Sequence, residues 1–203
     1  LKAITVTGTA SEVGQLAIDG TATPDGNSGV ALVDCNGADG CRIYDLEAHH
    51  SGYYALNVYQ TNDGIFERLK LHDNYRHSLH PGTDTAGRGL RNTFRDIEIY
   101  GDVTSFGLDD RGISSGSQAT HATYDNIRVH DCVVGGVTIE NQVNVTISKI
   151  VATGNGGIGI QLKNLVELTA GHMSSTKNGE DGLTIDGVAN SATTRGSAWK
   201  ARS

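Results

Sequence analysis

A hexad that begins with glycine occurs three times in the last third of the chain, at intervals of 23 residues. The three copies are GVTIEN at 136–141, GIQLKN at 159–164 and GLTIDG at 182–187. Each copy is a small residue followed by alternating apolar and polar residues, which is the pattern of a strand with one buried face. A constant period of this length is typical of proteins that stack one repeated unit.

Weaker copies of the hexad extend the repeat towards the N-terminus. They begin at Gly107, Ser78, Ala55 and Gly29, with successive steps of 29, 29, 23 and 26 residues counted back from Gly136. The extra residues of the two longest steps are predicted to form inserted loops at 83–91 and 114–121. A second set of apolar pairs runs parallel to the hexads, with steps of 23, 28, 30, 23 and 23 residues: Leu46/Ala48, Leu69/Leu71, Ile97/Ile99, Ile127/Val129, Ile150/Ala152 and Met173/Ser175.

Two apolar strand columns per repeat cannot bury a core within a single repeat. Stacked at a strand spacing of about 4.8 Å, they form one continuous core. We therefore predict an all-β fold, a single-stranded right-handed parallel β-helix of about seven coils with roughly 23 residues per coil, over residues 1–188. Residues 189–203 lose the alternation and are expected to form a C-terminal cap, a flexible tail or a contact between copies of a homo-oligomer. An antiparallel sandwich also uses many short strands, but it does not require a constant period.

Composition agrees with this architecture and narrows the possible partners. The 203 residues include 27 glycines and 2 prolines, and the aromatic content is 5%, which favours short strands and tight turns over a helical bundle. A net charge of −7 argues against nucleic acid and against an anionic membrane as partners. No segment approaches the roughly 20 apolar residues of a membrane-spanning helix. The chain begins with Leu1 and shows no signal peptide, so we expect a processed product or an excised piece of a longer protein.

The three cysteines differ in their surroundings. Cys35 and Cys41 bracket a short loop and could either close a disulfide or remain thiols. Cys132 lies in an apolar stretch and is expected to be a buried free thiol.

If the coils stack in register, the residue between the two apolar positions of each hexad faces outward at the same place on every coil. This outward column is predicted to contain Ala31, Asn57, His80, Asp109, Thr138, Gln161 and Thr184. The next outward column is predicted to contain Val33, Tyr59, Gly82, Arg111, Glu140, Lys163 and Asp186. Both inserted loops leave from the end of this strand, so we expect a solvent-exposed groove there.

The outward columns carry the groups that acid–base chemistry on a sugar acid needs. Histidine or tyrosine can exchange a proton, and the planar fork of arginine can pair with a sugar carboxylate. The predicted catalytic residues are His80, Tyr59, Arg111 and Asp109. The predicted substrate-binding residues are Tyr54, Asn57, His77, Glu140 and Lys163. The alternative is that these residues are simply the polar outer face that any solenoid presents to water.

Two further sets of residues bear on metal binding. Asp110 falls in an otherwise apolar inward column, where burial of an unpaired carboxylate is unfavourable. Three explanations are open: the strand bulges there, the carboxylate bonds to the following loop, or it binds a cation together with Asp109. A column of rings after the second strand is interpreted as stacked rings at a turn rather than as a metal site: His49, His72, Tyr100 and His130. No cofactor is therefore predicted, and Ca2+ at the Asp109–Asp110 pair is the remaining alternative.

Residues 51–61 (SGYYALNVYQT), followed one coil later by HDN at 72–74, resemble the catalytic module of the mannuronan C5-epimerases, which belong to the pectate-lyase-like β-helix superfamily. The family signature is Tyr-Gly-Phe-Asp-Pro-His, and Tyr54 matches its tyrosine. Asn57 replaces its aspartate and Tyr59 replaces its histidine. A further aspartate and histidine of the family fall on Gly82 and near Phe106. The resemblance implies the β-helix fold and a carbohydrate substrate, but not epimerase activity through that set of residues.

The leading hypothesis is an extracellular β-helix module that acts on a uronate-containing polysaccharide by lyase-like or epimerase-like proton abstraction. The alternative is a non-catalytic module of an adhesin, tailspike or surface assembly that binds sugar or spaces other parts. A third possibility is a hydrolase that uses Asp109 and Asp110, because paired carboxylates serve glycoside hydrolysis. Adjacent residues of a strand face opposite ways, which argues against this third possibility.

Overall fold

The computed structural model describes residues 4–21, 31–83, 88–111, 119–187, 189 and 192–193, and only the backbone of 110–111, 119–120 and 192–193. The described regular structure consists entirely of strands in one 15-stranded sheet. The strands are β1 (Ile4–Thr5), β2 (Glu12–Asp19), β3 (Ala31–Asp34), β4 (Arg42–His49), β5 (Tyr54–Tyr59), β6 (Ile65–His72), β7 (Leu79–Gly82), β8 (Thr93–Tyr100), β9 (Phe106–Arg111), β10 (Ala119–Thr120), β11 (Thr123–His130), β12 (Gly135–Thr153), β13 (Ile160–Thr176), β14 (Leu183–Asp186) and β15 (Ala192–Thr193).

Most strands stack in two parallel columns, as the repeat predicts, whereas β10 pairs with residues 142–143 of β12, between the two columns. The first column runs through β1, β3, β5, β7, β9, β12, β13 and β14, and the second through β2, β4, β6, β8, β11, β12 and β13. β12 and β13 belong to both columns because each continues around a corner of the coil. The alternative of an antiparallel sandwich is therefore wrong, and the parallel β-helix is confirmed.

Both strand columns keep the predicted register, including the two long steps. In the first column these residues follow one another in pairing: Val33, Leu56, Leu79, Leu108, Val137, Ile160 and Leu183. The steps on either side of Leu108 are 29 residues, and the extra residues lie outside the strands, after β7 and after β9. The six apolar pairs predicted for the second column are also in register.

The prediction for the first repeat is wrong by three residues. Val33 pairs with Leu56 and Asp34 pairs with Asn57, so this step is 23 residues rather than 26. Asp34 therefore replaces Ala31 in the outward column, and Val33 lies in the core at 0% exposure. The physical reason is that the apolar run at 31–33 fits either alternation, and pairing with the next strand decides between them. Gly29 lies outside the described residues, and a further coil with β1 and β2 precedes this one.

The interior is one continuous apolar column that runs the length of the stack. Leu46, Leu69, Ile97, Ile127 and Ile150 lie above one another and are each at most 2% exposed. A second interior column consists of aromatic rings, with Phe66, Phe94 and Tyr124 stacked at centroid distances of 5.2 and 5.3 Å. Burial of each large side chain contributes about 1.5–3 kcal/mol, so the core is the main source of stability.

Left-handed backbone at the corners lets each coil turn without breaking the stack. Asn141 and Asn164 have φ values of 58° and 48°, which asparagine tolerates better than most residues. Their side chains form a short ladder in which Asn164 Nδ2 donates to Asn141 Oδ1 at 3.1 Å. Gly187 takes the same corner on the next coil with φ of 64°. A Cβ there would lie 2.5 Å from Asn164 Oδ1, so a larger residue at this corner would require the Asn164 amide to move.

All three cysteines are buried free thiols, which confirms the prediction for Cys132. Cys35 and Cys41 are hydrogen-bonded to each other, and this bond together with burial raises the pKa of the Cys35 thiol. The described part of the chain contains no helix of the length and hydropathy that crossing a membrane requires.

Candidate functional site

Three consecutive coils bring most of the predicted site residues together on the outer face of the first strand column. β5 contributes Tyr54, Asn57 and Tyr59, β7 and the turn before it contribute His80 and His77, and β9 contributes Asp109. Asn57 pairs directly with His80, and the same register continues from β7 into β9. We call these six residues the histidine site. They meet because stacking places residues 23 or 29 positions apart about one strand spacing from each other.

His77 and Asp109 form the centre of the histidine site. His77 Nε2 lies 3.0 Å from Asp109 Oδ2, and the two side chains are only 1% and 3% exposed. On the other side of the ring, His77 Nδ1 lies 2.9 Å from the backbone oxygen of Phe106. The Ser105 hydroxyl is 3.3 Å from Nε2. The ring is therefore held from both edges.

These two contacts determine how the His77 ring is protonated. A carbonyl oxygen only accepts, so Nδ1 must carry a hydrogen and donate it to Phe106. Nε2 then faces a carboxylate oxygen at 3.0 Å, which requires a second proton between the two atoms. The pair thus consists of an imidazolium and a carboxylate that share one proton in a buried place. Such a pair is costly to break, because removing one partner leaves an uncompensated buried charge.

His80 is a second histidine beside this pair, and its pKa is lowered. Its ring stacks on Tyr54 and Tyr59 at centroid distances of 4.3 and 5.5 Å, and on His77 at 5.4 Å. Burial, and after it the neighbouring His77 charge, lower the pKa of His80 to about 4, against the opposing effect of Asp109. Its buried Nδ1 has no hydrogen-bond partner among the described residues. At neutral pH His80 is therefore an uncharged imidazole that can accept a proton.

The upper end of the histidine site contains a residue that the sequence analysis missed. Asn57 Nδ2 donates to Asp34 Oδ1 at 2.9 Å, and Asp34 is 3% exposed. Asn57 Oδ1 is buried without a partner in the described part of the chain, which leaves an acceptor beside the rings. The 23-residue step from Asn57 back to Asp34 is a signal that could have found it, but the first repeat was placed in another register.

Arg76 is a second residue that the sequence analysis missed. Its guanidinium lies 4.8 Å from the Tyr53 ring centroid and 5.8 Å from that of Tyr54, and it donates to the Tyr53 hydroxyl. A cation over the face of an aromatic ring is attracted to it. Tyr53 and Arg76 are 23 residues apart, so the repeat itself was the available signal.

The remaining predicted residues extend the site along the stack but do not close around it. Glu140 pairs with Lys163 on the next coil and with Arg111 on the preceding one. The Arg111 backbone also pairs with Gly82, which pairs with Tyr59, so the register of the second predicted column is confirmed from Tyr59 onwards. The side chain of Arg111 lies outside the described residues, as does that of Asp110.

The predicted exposure of the outward column is wrong at three positions. Ala31 is 2% exposed, Asp109 is 2% exposed and Thr138 is 1% exposed, although all three were expected to face solvent. Side chains on neighbouring coils lie one strand spacing apart and cover one another, and the His77 ring covers Asp109 from the side. The hydrolase hypothesis is weakened because the buried Asp109 carboxylate already contacts His77 and faces no solvent.

Two groups of described residues have donor atoms close enough to hold a metal ion. In the first group, the atoms of His77, His80 and Asp109 lie within 4.8 Å of one another, but the contact between His77 and Asp109 is satisfied by a proton. The second group lies elsewhere, at the end of β2 and β4. The predicted stack of rings is confirmed, with successive centroid distances of 4.8, 4.6 and 5.1 Å from His49 through His72 and Tyr100 to His130.

Comparison with solved structures places the chain among β-helix proteins. The periplasmic alginate epimerase AlgG is 14% identical with a TM-score of 0.63, and the match covers 94% of this chain and 62% of AlgG. A rhamnogalacturonan lyase is 12% identical with a TM-score of 0.58, over 77% of this chain and 48% of the lyase. The A-module of the mannuronan C-5 epimerase AlgE4 from Azotobacter vinelandii is 17% identical with a TM-score of 0.51, over 74% of this chain and 42% of the module.

The chain thus spans between 42% and 62% of the length of these three structures, and at such identities the likeness shows the fold alone. No curated protein matches the chain in sequence. The family model described as "Right handed beta helix region" matches residues 3–187, which is nearly the whole chain. The chain therefore belongs to the right-handed β-helix family.

Proposed function

We propose that this chain is an extracellular β-helix module that acts on a uronate-containing polysaccharide by abstracting a proton from the sugar ring. The observation that carries this proposal is His80, an uncharged imidazole with an unpartnered Nδ1 beside the buried His77–Asp109 pair. The structural likeness to an alginate epimerase, a mannuronan epimerase and a rhamnogalacturonan lyase supports a polysaccharide as the substrate class.

In the proposed reaction His80 is the base. It takes the proton from C5 of the uronate, and the electron pair left on C5 is delocalised into the sugar carboxylate. In the lyase version, the C4–O bond then breaks and Tyr59 donates its hydroxyl proton to the leaving oxygen. In the epimerase version, Tyr59 instead donates its hydroxyl proton to C5 on the opposite face of the ring. The low pKa of His80 keeps the base unprotonated, and the Tyr54 and Tyr59 rings exclude water from it.

The carboxylate of the sugar needs a positive charge nearby, because neutralising it stabilises the developing negative charge. Arg111 remains our proposed partner, since its backbone pairs with Gly82 directly beside the site. Asn57 Oδ1 is a buried acceptor without a partner among the described residues, so a sugar hydroxyl could bond to it only after the side chains that cover it move. Asp109 has a different proposed role from the one expected, because it holds the His77 proton rather than the polymer.

The test is to incubate the protein with alginate, pectate and related polymers. Unsaturated-uronate absorbance detects a lyase product, and proton NMR of the polymer detects epimerisation. We expect His80→Ala to lower turnover by about 100-fold or more, since general-base groups contribute about 10²–10⁴-fold. The exposed His172 lies on β13, away from the site, and His172→Ala is the matched control. Activity that survives both His80→Ala and Arg111→Ala would remove this assignment.

A carbohydrate-binding module without catalysis is the second candidate. The observation that favours it is the aromatic surface of Tyr53, Tyr54 and Tyr59 with Arg76 above two of the rings, because such rings can stack against sugars. Glycan-array binding without turnover would support this candidate. In that case Tyr54→Ala would weaken binding, whereas His80→Gln would leave it nearly unchanged.

A further inference from the structure

Three metal-ligating side chains converge at the N-terminal end of the stack, away from the histidine site. His49 Nδ1 and His50 Nδ1 lie 2.6 Å apart. Asp19 Oδ1, from the preceding coil, lies 3.6 Å from the first nitrogen and 3.5 Å from the second. Asp19 pairs with His49 in the register of β2 and β4, so the three donor atoms are positioned by two adjacent coils.

The same place is chemically different on the two later coils that carry a histidine there. On those coils the ring is followed by an aspartate that satisfies it, with His72 Nδ1 2.8 Å from Asp73 Oδ2 and His130 Nδ1 2.7 Å from Asp131 Oδ2. Next to His49 this aspartate is replaced by a second histidine. The result is a facing pair of imidazole nitrogens instead of an imidazole–carboxylate pair.

Two facing imidazole nitrogens need something positive between them. Without a hydrogen, two lone pairs 2.6 Å apart repel each other, so one Nδ1 must donate to the other. A metal ion can take the place of that hydrogen. Each ring would then carry its hydrogen on Nε2, so one ring changes tautomer and no proton is released.

We propose that Asp19, His49 and His50 bind one divalent transition-metal ion of the zinc, cobalt or nickel class. Two imidazoles and one carboxylate suit these ions, whereas Ca2+ and Mg2+ prefer a full set of oxygen ligands. Metal–nitrogen bonds of about 2.0–2.1 Å in a tetrahedral site require the two nitrogens to separate to about 3.4 Å. The His50 and Asp19 side chains are 51% and 56% exposed, so they have room to move and water can complete the coordination.

Such an ion would join the first coil to the second. β2 pairs with β4 and has no partner on its other side among the strands that the structure describes. An end strand of this kind is the part of a stack that opens most easily. One ligand from β2 and two from the end of β4 would hold β2 against β4 through the ion. Metal binding to the folded form would also stabilise the folded chain.

The experiment uses the untagged protein and a titration with Co2+, which reports its coordination through visible absorption, followed by calorimetry with Zn2+. We expect one ion per chain. His50→Gln and Asp19→Asn should each weaken binding by about tenfold or more, because each removes one of three ligands. His172→Gln changes an exposed histidine outside the group and should leave the affinity unchanged.

Proton NMR gives a second measurement that does not depend on the variants. Co2+ is paramagnetic, so the ring signals of His49 and His50 should shift or broaden before those of the other histidines. Absence of binding in the wild-type protein would overturn the proposal. So would an affinity that His50→Gln and Asp19→Asn leave intact, or ring signals of other histidines that respond first.

Discussion

His77 and Asp109 lie 32 residues apart in the sequence, yet His77 Nε2 and Asp109 Oδ2 are 3.0 Å apart and both side chains are almost fully buried. The opposite ring nitrogen of His77 is fixed on the Phe106 carbonyl. One proton is therefore held between a histidine and an aspartate on adjacent coils, directly beside the uncharged His80. This relationship bears on the electrostatics of the site, because burial lowers the pKa of His80 most, the His77 ring lowers it as well, and Asp109 opposes both.

Asp109→Asn is expected to destabilise the fold at neutral pH. The amide cannot neutralise a buried imidazolium, so His77 loses its second proton or leaves its place. We expect a loss of about 3–5 kcal/mol in the free energy of unfolding, the range seen when one partner of a buried ion pair is removed. Urea denaturation measures it. Asp125→Asn removes an exposed carboxylate from β11 and should change stability by less than about 0.5 kcal/mol. Equal stabilities of the two variants would show that the pair carries no charge.

His80 should make stability depend on pH in a defined window. Its pKa is about 4 in the folded chain and has an ordinary value of 6.5, so between these values the unfolded chain binds more protons. The stabilising effect is complete above about pH 6.5 and is lost as the pH falls towards 4. The difference corresponds to about 3 kcal/mol.

The check is urea denaturation of the wild-type protein and of His80→Gln between pH 4 and 7. The variant lacks the titrating ring, so its stability should fall by about 3 kcal/mol less over this range. His172→Gln should retain the wild-type slope. If His80→Gln also retains that slope, the His80 pKa is not depressed.

Glu67 on β6 is a buried carboxylate with arginines on both neighbouring coils. Arg42 Nε donates to Oε1 at 2.9 Å and Arg95 Nε donates to Oε2 at 2.6 Å, while the Glu67 side chain is 0% exposed. Burial opposes ionisation, but the arginine hydrogen bonds outweigh it and lower the pKa of Glu67 to about 2. Its contribution is therefore complete above about pH 4.5 and is lost as the pH falls towards 2.

Glu67→Gln should cost about 2 kcal/mol of stability at pH 7, because it leaves two or more guanidinium groups without their shared carboxylate. The matched control is Glu98→Gln on β8, a partly exposed carboxylate that contacts Arg128 at 3.3 Å. Exposed pairs contribute about 0–1 kcal/mol, so the control should lose little. Thermal and urea denaturation measure both, and a larger loss for the control would contradict the prediction.

Phe94 lies at the centre of the aromatic stack, between Phe66 and Tyr124. Phe94→Ala opens a cavity between two rings in the middle of the solenoid and should cost about 3–5 kcal/mol. Phe106→Ala, at a position that is only partly buried, should cost clearly less. Hydrogen exchange of the neighbouring strands should rise most in β6, β8 and β11, since each coil contacts only its neighbours.

Parts of the histidine site could not be predicted from the sequence. The outward positions of His80 and Asn57 follow from alternation, which has a period of two and is visible in any strand. His77 lies in the turn before β7, where no alternation applies, so its approach to Asp109 is invisible at that level. Asp34 was hidden for another reason. The apolar run before it fits two registers, and only pairing with β5 selects one.

The sequence alone determined the architecture, because a parallel stack places similar residues at the same position of every coil. The 23-residue step, the two strand columns and the positions of both inserted loops could therefore be predicted from the sequence. Tertiary structure decided burial and protonation. Side chains of other coils within a few ångströms decide whether Asp109 contacts water or His77 and whether His80 is charged. The sequence does not show these neighbours, because desolvation and charge–charge interactions act through space and not along the chain.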